Sequence, residues 1–120
     1  MIHNNVVVGA LSAIHQFSRI GEGAMIGGMS GVTADVVPFA TVLGNRAKLS
    51  GINILGLKRR LINKSELSQL RKVFKYIFYE KKHTLKVRIN EIEKKKFKEK
   101  TIKVLLEFLS SDSERSFVLP

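Results

Sequence analysis

An aliphatic residue recurs at every sixth position through the first part of the chain, over six consecutive hexads. The recurring residues are Ile2, Val8, Ile14, Ile20, Ile26 and Val32. A small or β-branched residue follows four positions after each: Val6, Ser12, Ser18, Ala24, Ser30 and Val36. Glycine often comes directly after the aliphatic residue, at Gly9, Gly21 and Gly27. A period of six matches neither a strand nor a helix, and it is typical of a parallel β-helix.

In this fold each hexad supplies one short strand and one corner, so three hexads close a triangular coil. The aliphatic residue points into the prism and stacks on its equivalent one coil above, and the small residue faces inward near the corner. Glycine after the aliphatic residue relieves steric demand at the turn. Neighbouring coils bond backbone to backbone at about 4.8 Å. The pattern therefore predicts stacked coils over residues 1–50, where Pro38 and the run GNRAKLSG end the repeat.

The later sequence has helical periodicity instead. Asn53 can cap a short helix over NILGLKRRL, and Ser65 begins a longer helix, SELSQLRKVFKYIFYEKK. Thr84 can cap another helix, and a last one covers roughly residues 98–110. The final run, SSDSERSFVLP, is expected to be irregular. The apolar face of the longer helix consists of Leu67, Leu70, Val73, Phe74, Ile77 and Phe78.

The predicted fold class is therefore β + α, with two domains. Residues 1–50 form a truncated parallel β-helix, and residues 51–120 form a C-terminal α-helical domain. With 44% apolar residues, a chain of 120 residues is able to bury a real core.

Charge divides the chain in the same way. Residues 1–56 contain three basic and two acidic residues, whereas residues 57–120 contain the other 18 basic and 8 acidic residues, a net charge of +10. This excess fits either a solvated helix surface, as in EKKKFKEK, or the docking of an acidic partner. No aromatic-studded basic sheet or recognition helix accompanies the charge, so nucleic acid is not an expected partner.

Other functional classes are disfavoured by composition. The chain has no cysteine and only three scattered histidines, His3, His15 and His83, so no metal site is expected. No apolar run approaches the roughly 20 residues of a membrane helix, and no signal-peptide pattern follows Met1. A soluble, cytoplasmic protein without a transmembrane segment is expected.

One polar pair interrupts the hexads. His15 and Gln16 follow Ile14 where glycine would fit the pattern, and Phe17 comes next. A histidine beside a core position is usually a hydrogen-bonded structural residue. Because this pair lies on the lateral face of a coil, a cleft between subunits could also use it.

Several strings go beyond the generic repeat: HQF, GGMSGV, GN.A and G.N..GLKRR. Through them the chain resembles the UDP-N-acetylglucosamine O-acyltransferase family of lipid A synthesis, strongly over residues 2–62. The resemblance implies a homotrimer of left-handed β-helices with active sites between neighbouring subunits. It implies transfer of a 3-hydroxyacyl chain from acyl carrier protein to the 3-hydroxyl of UDP-N-acetylglucosamine. No cofactor is implied, because the acyl chain arrives on the phosphopantetheine of the carrier.

The resemblance also assigns residues. His15 and Gln16 match pocket residues near the sugar and the acyl chain, and Gly28 matches the acyl-chain ruler, where glycine leaves room for a longer chain. The residues that match nucleotide- and phosphopantetheine-facing positions are Asn53, Arg59 and Arg60. Arg46 occupies a position where many members carry histidine.

The family's general base is a histidine about two coils before HQF, in a segment that this sequence does not contain. We therefore expect no catalytic residue in this chain and an incomplete transfer site, since a sugar hydroxyl needs a base within hydrogen-bonding reach. The chain is interpreted as the back half of a typical member, either a truncated remnant or one piece of a split gene. An upstream piece supplying coils in trans and a non-catalytic trimerising or carrier-binding scaffold are the alternatives.

Overall fold

The computed structural model describes residues 1–111 and 116–120. The strands are β1 (Val7–Val8), β2 (Ala13–Ile14), β3 (Met25–Ile26), β4 (Gly31–Val32), β5 (Ala40–Leu43) and β6 (Lys48–Ile52). The helices are α1 (Ile54–Arg59), α2 (Lys64–Tyr79), α3 (Leu85–Glu93) and α4 (Lys100–Ser110). All named strands precede the helices, and β6 crosses the boundary that the sequence predicts at residue 50.

The strands stack as parallel coils, which confirms the predicted β-helix. β1, β3 and β5 form one face, β2 and β4 form a second, and Ile20 bridges in parallel to both Ile2 and Val36 on a third. Equivalent residues of the first and second coils are 18 positions apart in the sequence, as the pairing of Val7 with Met25 shows. The inward aliphatic residues of the second coil are buried: Ile20, Ile26 and Val32.

The corner over residues 33–35 is shorter than the hexad pattern predicts. Paired residues of β2 and β4 are still 18 positions apart in the sequence. The paired residues Ile20 and Val36 are only 16 positions apart. The assignment of Val36 to the small position of the sixth hexad is therefore wrong, because Val36 occupies the place of the aliphatic residue above Ile20. The shortened corner also buries Asp35 completely.

Three corners join the faces of the prism. Corner A consists of residues 9–11 and 27–29, corner B of residues 15–18 and 33–35, and corner C of residues 3–5 and 21–23. The coils are tied to each other at the corners as well as along the strands. At corner A the Met29 N–H donates to the Ala10 carbonyl, and at corner C the Gly23 N–H donates to the Asn4 carbonyl.

Two of the repeat glycines are required by the close approach of the next coil. A Cβ at Gly9 would lie 2.4 Å from the Gly28 nitrogen, and a Cβ at Gly21 would lie 2.4 Å from the Pro38 nitrogen. The left-handed backbone of the corners falls instead mainly on residues with side chains: Asn5, Leu11, Met29 and Phe39. Glycine is therefore needed at these hexad positions because a Cβ would collide with the next coil. It is not needed there for a positive φ.

The upper end of the prism, above β4 and β5, is covered on all three faces. β6 pairs antiparallel with β5 on the first face, and the Ala47 N–H donates to the Gly31 carbonyl on the second. On the third face Phe117 bridges to Asp35, and the N–H of buried Val118 donates to the Asp35 carbonyl at 2.7 Å. Residues 116–120 thus have no regular secondary structure, as predicted, yet they close the coil. The rest of the run predicted to be irregular includes residues 112–115, outside the described part.

Side-chain caps set the beginnings of three helices. Asn53 caps α1 and Thr84 caps α3, as predicted. α2 begins at Lys64, one residue before the predicted start, because the side chain of Asn63 accepts the Glu66 N–H at 2.7 Å. No helix within the described residues is both long enough and apolar enough to cross a bilayer.

The helices pack on the coils through a continuous hydrophobic core. Every residue of the predicted apolar face of α2 is buried. The Glu66 carboxylate joins α2 to α4, because it accepts the Thr101 N–H at 3.0 Å and the Thr101 hydroxyl at 2.7 Å. Arg19 joins α4 to the prism, since its guanidinium lies 4.2 Å from the centroid of the Phe108 ring. These contacts attach the helices to one another and to the coils.

Candidate functional site

Corner C and the C-terminal end of α1 enclose a small hollow of about 240 Å³. Arg59 and Arg60 lie on its α1 side, and Gly23 and Phe39 lie on its coil side. Arginine guanidinium groups bind phosphate oxygens in a bidentate manner, so this hollow is suited to a phosphate or pyrophosphate group. None of the described residues that line it is a histidine.

Contacts with the coil hold Arg60 in this hollow. Its Nη2 lies 2.8 Å from Glu22 Oε2, and its guanidinium carbon lies 5.8 Å from the centroid of the Phe39 ring. Gly23 has a φ of +69°, and a Cβ there would lie 3.2 Å from Arg60 Nη1 and 2.9 Å from the Phe39 ring. The hollow therefore needs glycine at this position both for backbone conformation and for space.

Asn53 links corner C to the first turn of α1. Its side chain is buried, with Nδ2 donating to the Gly23 carbonyl at 3.1 Å and Oδ1 accepting the Gly56 N–H at 3.1 Å. Both ends of the amide are thus used within the protein. Asn53 fixes the start of α1 against corner C, and thereby positions Arg59 at the end of the helix and Arg60 at its C-cap.

Sequence reasoning misses Glu22, Gly23 and Phe39, although these residues position Arg60. The sequence offers one signal, because Glu22 is one of only two acidic residues among the first 56. Such a scarce charge within an apolar repeat suggests a specific partner. The identity of that partner depends on tertiary contacts, since Arg60 is 38 residues away in the chain.

His15 and Gln16 lie exposed at corner B. The His15 N–H donates to the Val32 carbonyl at 2.8 Å, and the His15 carbonyl accepts the Ser18 N–H at 2.9 Å. The backbone of His15 is therefore fixed in the coil ladder. Its imidazole is 6.0 Å from the Phe17 ring, centroid to centroid. The corner presents an imidazole and a carboxamide at the prism surface.

Gly28 lies exposed at corner A, between Met29 and the corner residues of the coil below. A Cβ at Gly28 would meet the Ala10 carbonyl oxygen at 3.4 Å, an ordinary contact. Met29 and Leu11 beside it are 68% and 85% exposed. Corner A is therefore an apolar surface on which the side-chain size at position 28 is not limited by the chain itself.

A single chain does not bring the candidate residues together. Asn53, Arg59 and Arg60 meet at corner C, whereas His15 and Gln16 lie at corner B and Gly28 lies at corner A. Arg46 is exposed in the turn between β5 and β6. The candidate site is therefore distributed over three corners of one prism.

A larger groove of about 850 Å³ lies between β6, α1 and α2. Its apolar lining includes Ile52, Ile54, Leu67 and Phe74, and its basic residues are Lys58, Lys64, Arg71, Lys72 and Lys75. No acidic side chain lines it within the described residues. Partial burial raises the pKa of Tyr79, which also lines the groove, above its ordinary value. We call this surface the basic groove. The helical spacing of the four α2 cations could have located it from sequence.

Parallel hexapeptide coils, a basic hollow at one corner and helices packed beside them define a hexapeptide-repeat β-helix protein. A model of the family described as UDP-N-acetylglucosamine O-acyltransferase, domain 2, matches residues 35–118. The acyl-(acyl-carrier-protein)–UDP-N-acetylglucosamine O-acyltransferase of Paracoccus denitrificans is 38% identical over 120 residues, which cover 100% of this chain and 44% of the relative. The chain belongs to this O-acyltransferase family.

Solved structures agree with this assignment. The UDP-N-acetylglucosamine acyltransferase of Arabidopsis superposes with a TM-score of 0.90 at 29% identity, over 99% of this chain and 44% of that one. The enzyme of the same name from Campylobacter jejuni superposes with a TM-score of 0.85 at 34% identity, over 99% of this chain and 45% of that one. The chain thus spans less than half the length of these relatives.

Proposed function

We propose that this chain contributes to the transfer of a 3-hydroxyacyl group from acyl carrier protein to the 3-hydroxyl of UDP-N-acetylglucosamine, the first step of lipid A synthesis. The observation that carries the proposal is the hollow at corner C. Two arginines line it, and a buried asparagine holds their helix in place. Such a hollow suits the diphosphate of a nucleotide sugar or the phosphate of phosphopantetheine. Asn53, Arg59 and Arg60 are the proposed binding residues.

The proposed assembly is a homotrimer of left-handed prisms with sites between neighbours. Its support is the distribution of the candidate residues over three corners, because only an adjacent subunit can bring corner B or corner A opposite corner C. His15 and Gln16 then contact the sugar and acyl chain from one side of a shared groove. Sedimentation equilibrium tests the assembly, and a mass of one or two chains at micromolar concentration contradicts it.

Under this proposal the chain binds its substrates but supplies no general base. No histidine lines the hollow among the described residues, and the His3 ring instead packs edge-on against Phe108, with centroids 5.9 Å apart. A scaffold that docks the carrier without binding the nucleotide sugar is the alternative function. It is favoured by the fact that the Asn53 amide and the Arg60 guanidinium already have partners within the chain.

A binding and transfer assay separates these functions. We expect UDP-N-acetylglucosamine to bind the purified chain in calorimetry, and Arg60→Ala to weaken binding about tenfold through loss of a charged hydrogen bond. Acyl transfer from 3-hydroxyacyl carrier protein is expected to remain at the level of buffer. The control variant is Arg46→Ala, since Arg46 lies outside the hollow. If UDP-N-acetylglucosamine does not bind the unmodified chain, the scaffold function is supported. Acyl transfer above the buffer level would contradict the proposal that the chain supplies no general base.

Gly28 is the proposed acyl-chain ruler, and its exposed position at apolar corner A supports this role. In the same assay, run on an assembly that does turn over, Gly28→Met is expected to shift preference toward shorter acyl chains. The added side chain would occupy the space that the distal carbons of the acyl chain use. An unchanged order of preference across a series of chain lengths contradicts the ruler.

The basic groove is the proposed docking surface for the carrier. Acyl carrier protein is acidic, and an acidic amphipathic helix complements a groove with an apolar floor, five basic residues and no acidic residue on its described lining. The phosphopantetheine arm of a carrier docked there would extend past α1, whose last residue, Arg59, lines the hollow at corner C.

Charge reversal tests this surface. The double change Arg71→Glu and Lys75→Glu is expected to weaken carrier binding by about tenfold or more, because both cations would become repulsive toward an acidic partner. The matched control is Lys94→Glu with Lys96→Glu, which changes net charge equally at exposed residues outside the groove. Surface plasmon resonance at two salt concentrations measures both effects. Equal losses in the two double variants indicate nonspecific attraction and contradict docking in the groove.

A further inference from the structure

Leu61 follows α1 in a backbone conformation that a leucine does not favour. The Ile62 N–H donates to the Leu57 carbonyl at 3.3 Å. The Leu61 N–H donates to the Lys58 carbonyl at 3.0 Å. These two bonds form a Schellman motif, whose left-handed residue is usually glycine. Leu61 occupies that position with a φ of +59°, which is less favourable for a residue with a Cβ than for glycine.

Packing within the chain does not compensate for this unfavourable backbone. The Leu61 side chain is 89% exposed. The next residue, Ile62, is by contrast packed against the hydrophobic core. The turn between α1 and α2 thus places one aliphatic side chain against the core and presents the other to the outside. A position that favours glycine and buries little of its side chain has no structural need for leucine.

The surroundings of Leu61 are basic. Lys58 and Lys64 lie three residues before and after it, and both line the basic groove. Leu55, 59% exposed, lies three residues before Lys58 and is therefore next to it on the surface of α1. Leu11 has a similar backbone conformation and is 85% exposed, but corner A contains no charged residue. Leu61 therefore combines an unfavourable backbone with an exposed apolar side chain at the edge of a cationic surface.

An acidic amphipathic helix is the partner that fits both features. Residues 54–79 contain seven basic residues and one acidic residue, Glu66, whose carboxylate is bonded to α4. Cations mainly raise the association rate of an acidic partner, whereas buried contacts mainly set its dissociation rate. We propose that Leu61 is the apolar anchor of the carrier interface and inserts among aliphatic side chains of the carrier's acidic helix. This inference rests on the proposed docking of the carrier in the basic groove.

Carrier binding, measured as separate rate constants by surface plasmon resonance, tests the anchor. The immobilised probe is holo acyl carrier protein without an acyl chain, and the full 120-residue chain is the analyte. Leu61→Gly is expected to raise the dissociation rate constant about tenfold, because the interface loses apolar burial. The association rate constant is expected to change less than about twofold, since no charge is altered. Leu61→Met keeps an apolar side chain and is expected to dissociate within about threefold of the unmodified chain.

Two further measurements separate binding from folding. His83→Gly removes another exposed side chain with a positive φ, +64°, in the turn between α2 and α3, outside the lining of the basic groove. It is expected to leave both rate constants nearly unchanged. The melting temperatures of Leu61→Gly and His83→Gly are expected to equal or exceed that of the unmodified chain, because glycine favours the left-handed backbone. A residue with a merely structural role would not combine faster dissociation with undiminished stability.

Two results would contradict the anchor and leave the docking proposal intact. In the first, Leu61→Gly binds the carrier as the unmodified chain does, while Arg71→Glu with Lys75→Glu weakens binding. If Leu61→Gly then also loses association with phosphatidylglycerol vesicles, the partner of Leu61 is an anionic lipid surface. In the second, the melting temperature of Leu61→Gly falls, which makes Leu61 a structural residue. If the unmodified chain does not bind the carrier at all, docking in the basic groove is wrong and the anchor is wrong with it.

Discussion

Replacing Asp35 by alanine is expected to lower the free energy of unfolding by about 3–5 kcal/mol, the usual effect of removing one partner of a buried ion pair. Asp35 is fully buried. Its Oδ1 accepts the Arg19 N–H and its Oδ2 accepts the Arg19 Nε–H, both at 2.8 Å. Alanine would leave a largely buried guanidinium without this carboxylate. Because Arg19 also lies over the Phe108 ring, the loss extends to the contact between α4 and the prism.

Urea unfolding followed by circular dichroism measures this change. Asp35→Asn keeps an oxygen for the Arg19 N–H but removes the charge, so an intermediate loss is expected. Glu22→Gln is the comparison at a more exposed pair, where Glu22 and Arg60 retain 23% and 31% side-chain exposure. Its expected cost is at most about 1 kcal/mol, because solvent screens such pairs. If Asp35→Ala costs no more than Glu22→Gln, the pair with Arg19 does not hold the shortened corner.

Gly21→Ala is expected to destabilise the chain by about 3 kcal/mol, which is at the upper end for overpacking. The new Cβ would lie 2.4, 2.6 and 2.7 Å from the nitrogen, Cδ and Cα of Pro38. These atoms belong to the backbone and ring of the next coil, so they cannot move aside as the end of a flexible side chain would. Relief requires the two coils to separate locally, which weakens the backbone bonds between them.

The matched control is Gly28→Ala, whose Cβ would come no closer than 3.4 Å to the Ala10 carbonyl oxygen. Neither glycine has a positive φ. At Gly28 the reduced freedom of the unfolded chain is therefore expected to leave stability unchanged or raise it by up to about 1 kcal/mol. Thermal unfolding of the two variants side by side gives the comparison. Similar melting temperatures would mean that the coils are not as closely packed as the contact distances imply.

The predictable parts of the fold are those with a local period. The inward positions of Ile20, Ile26 and Val32 follow from the hexads alone, and the buried face of α2 follows from helical spacing. The cap of α3 at Thr84 is likewise a local signal. Each of these features depends on residues a few positions apart, so a sequence pattern is sufficient to locate it.

The candidate site was only partly predictable for the same reason. The basic residues of GLKRR are visible as a string, but the contacts that orient Arg60 come from Glu22 and Phe39 in the β-helix coils. The basic groove combines β6 with α1 and α2, and its apolar floor cannot be separated by sequence from the rest of the core. Charge excess alone does not distinguish a groove from a solvated surface.

The sequence by itself determined that this protein has parallel hexapeptide coils followed by amphipathic helices, because both structures repeat with a fixed short period. Only the tertiary structure decided that the corner at residues 33–35 is two residues short, that residues 116–120 close the upper end, and that the candidate residues occupy three different corners. These features depend on pairings between segments far apart in the chain. Such pairings are set by the space and hydrogen-bonding groups that the folded coils leave available, which no local period encodes.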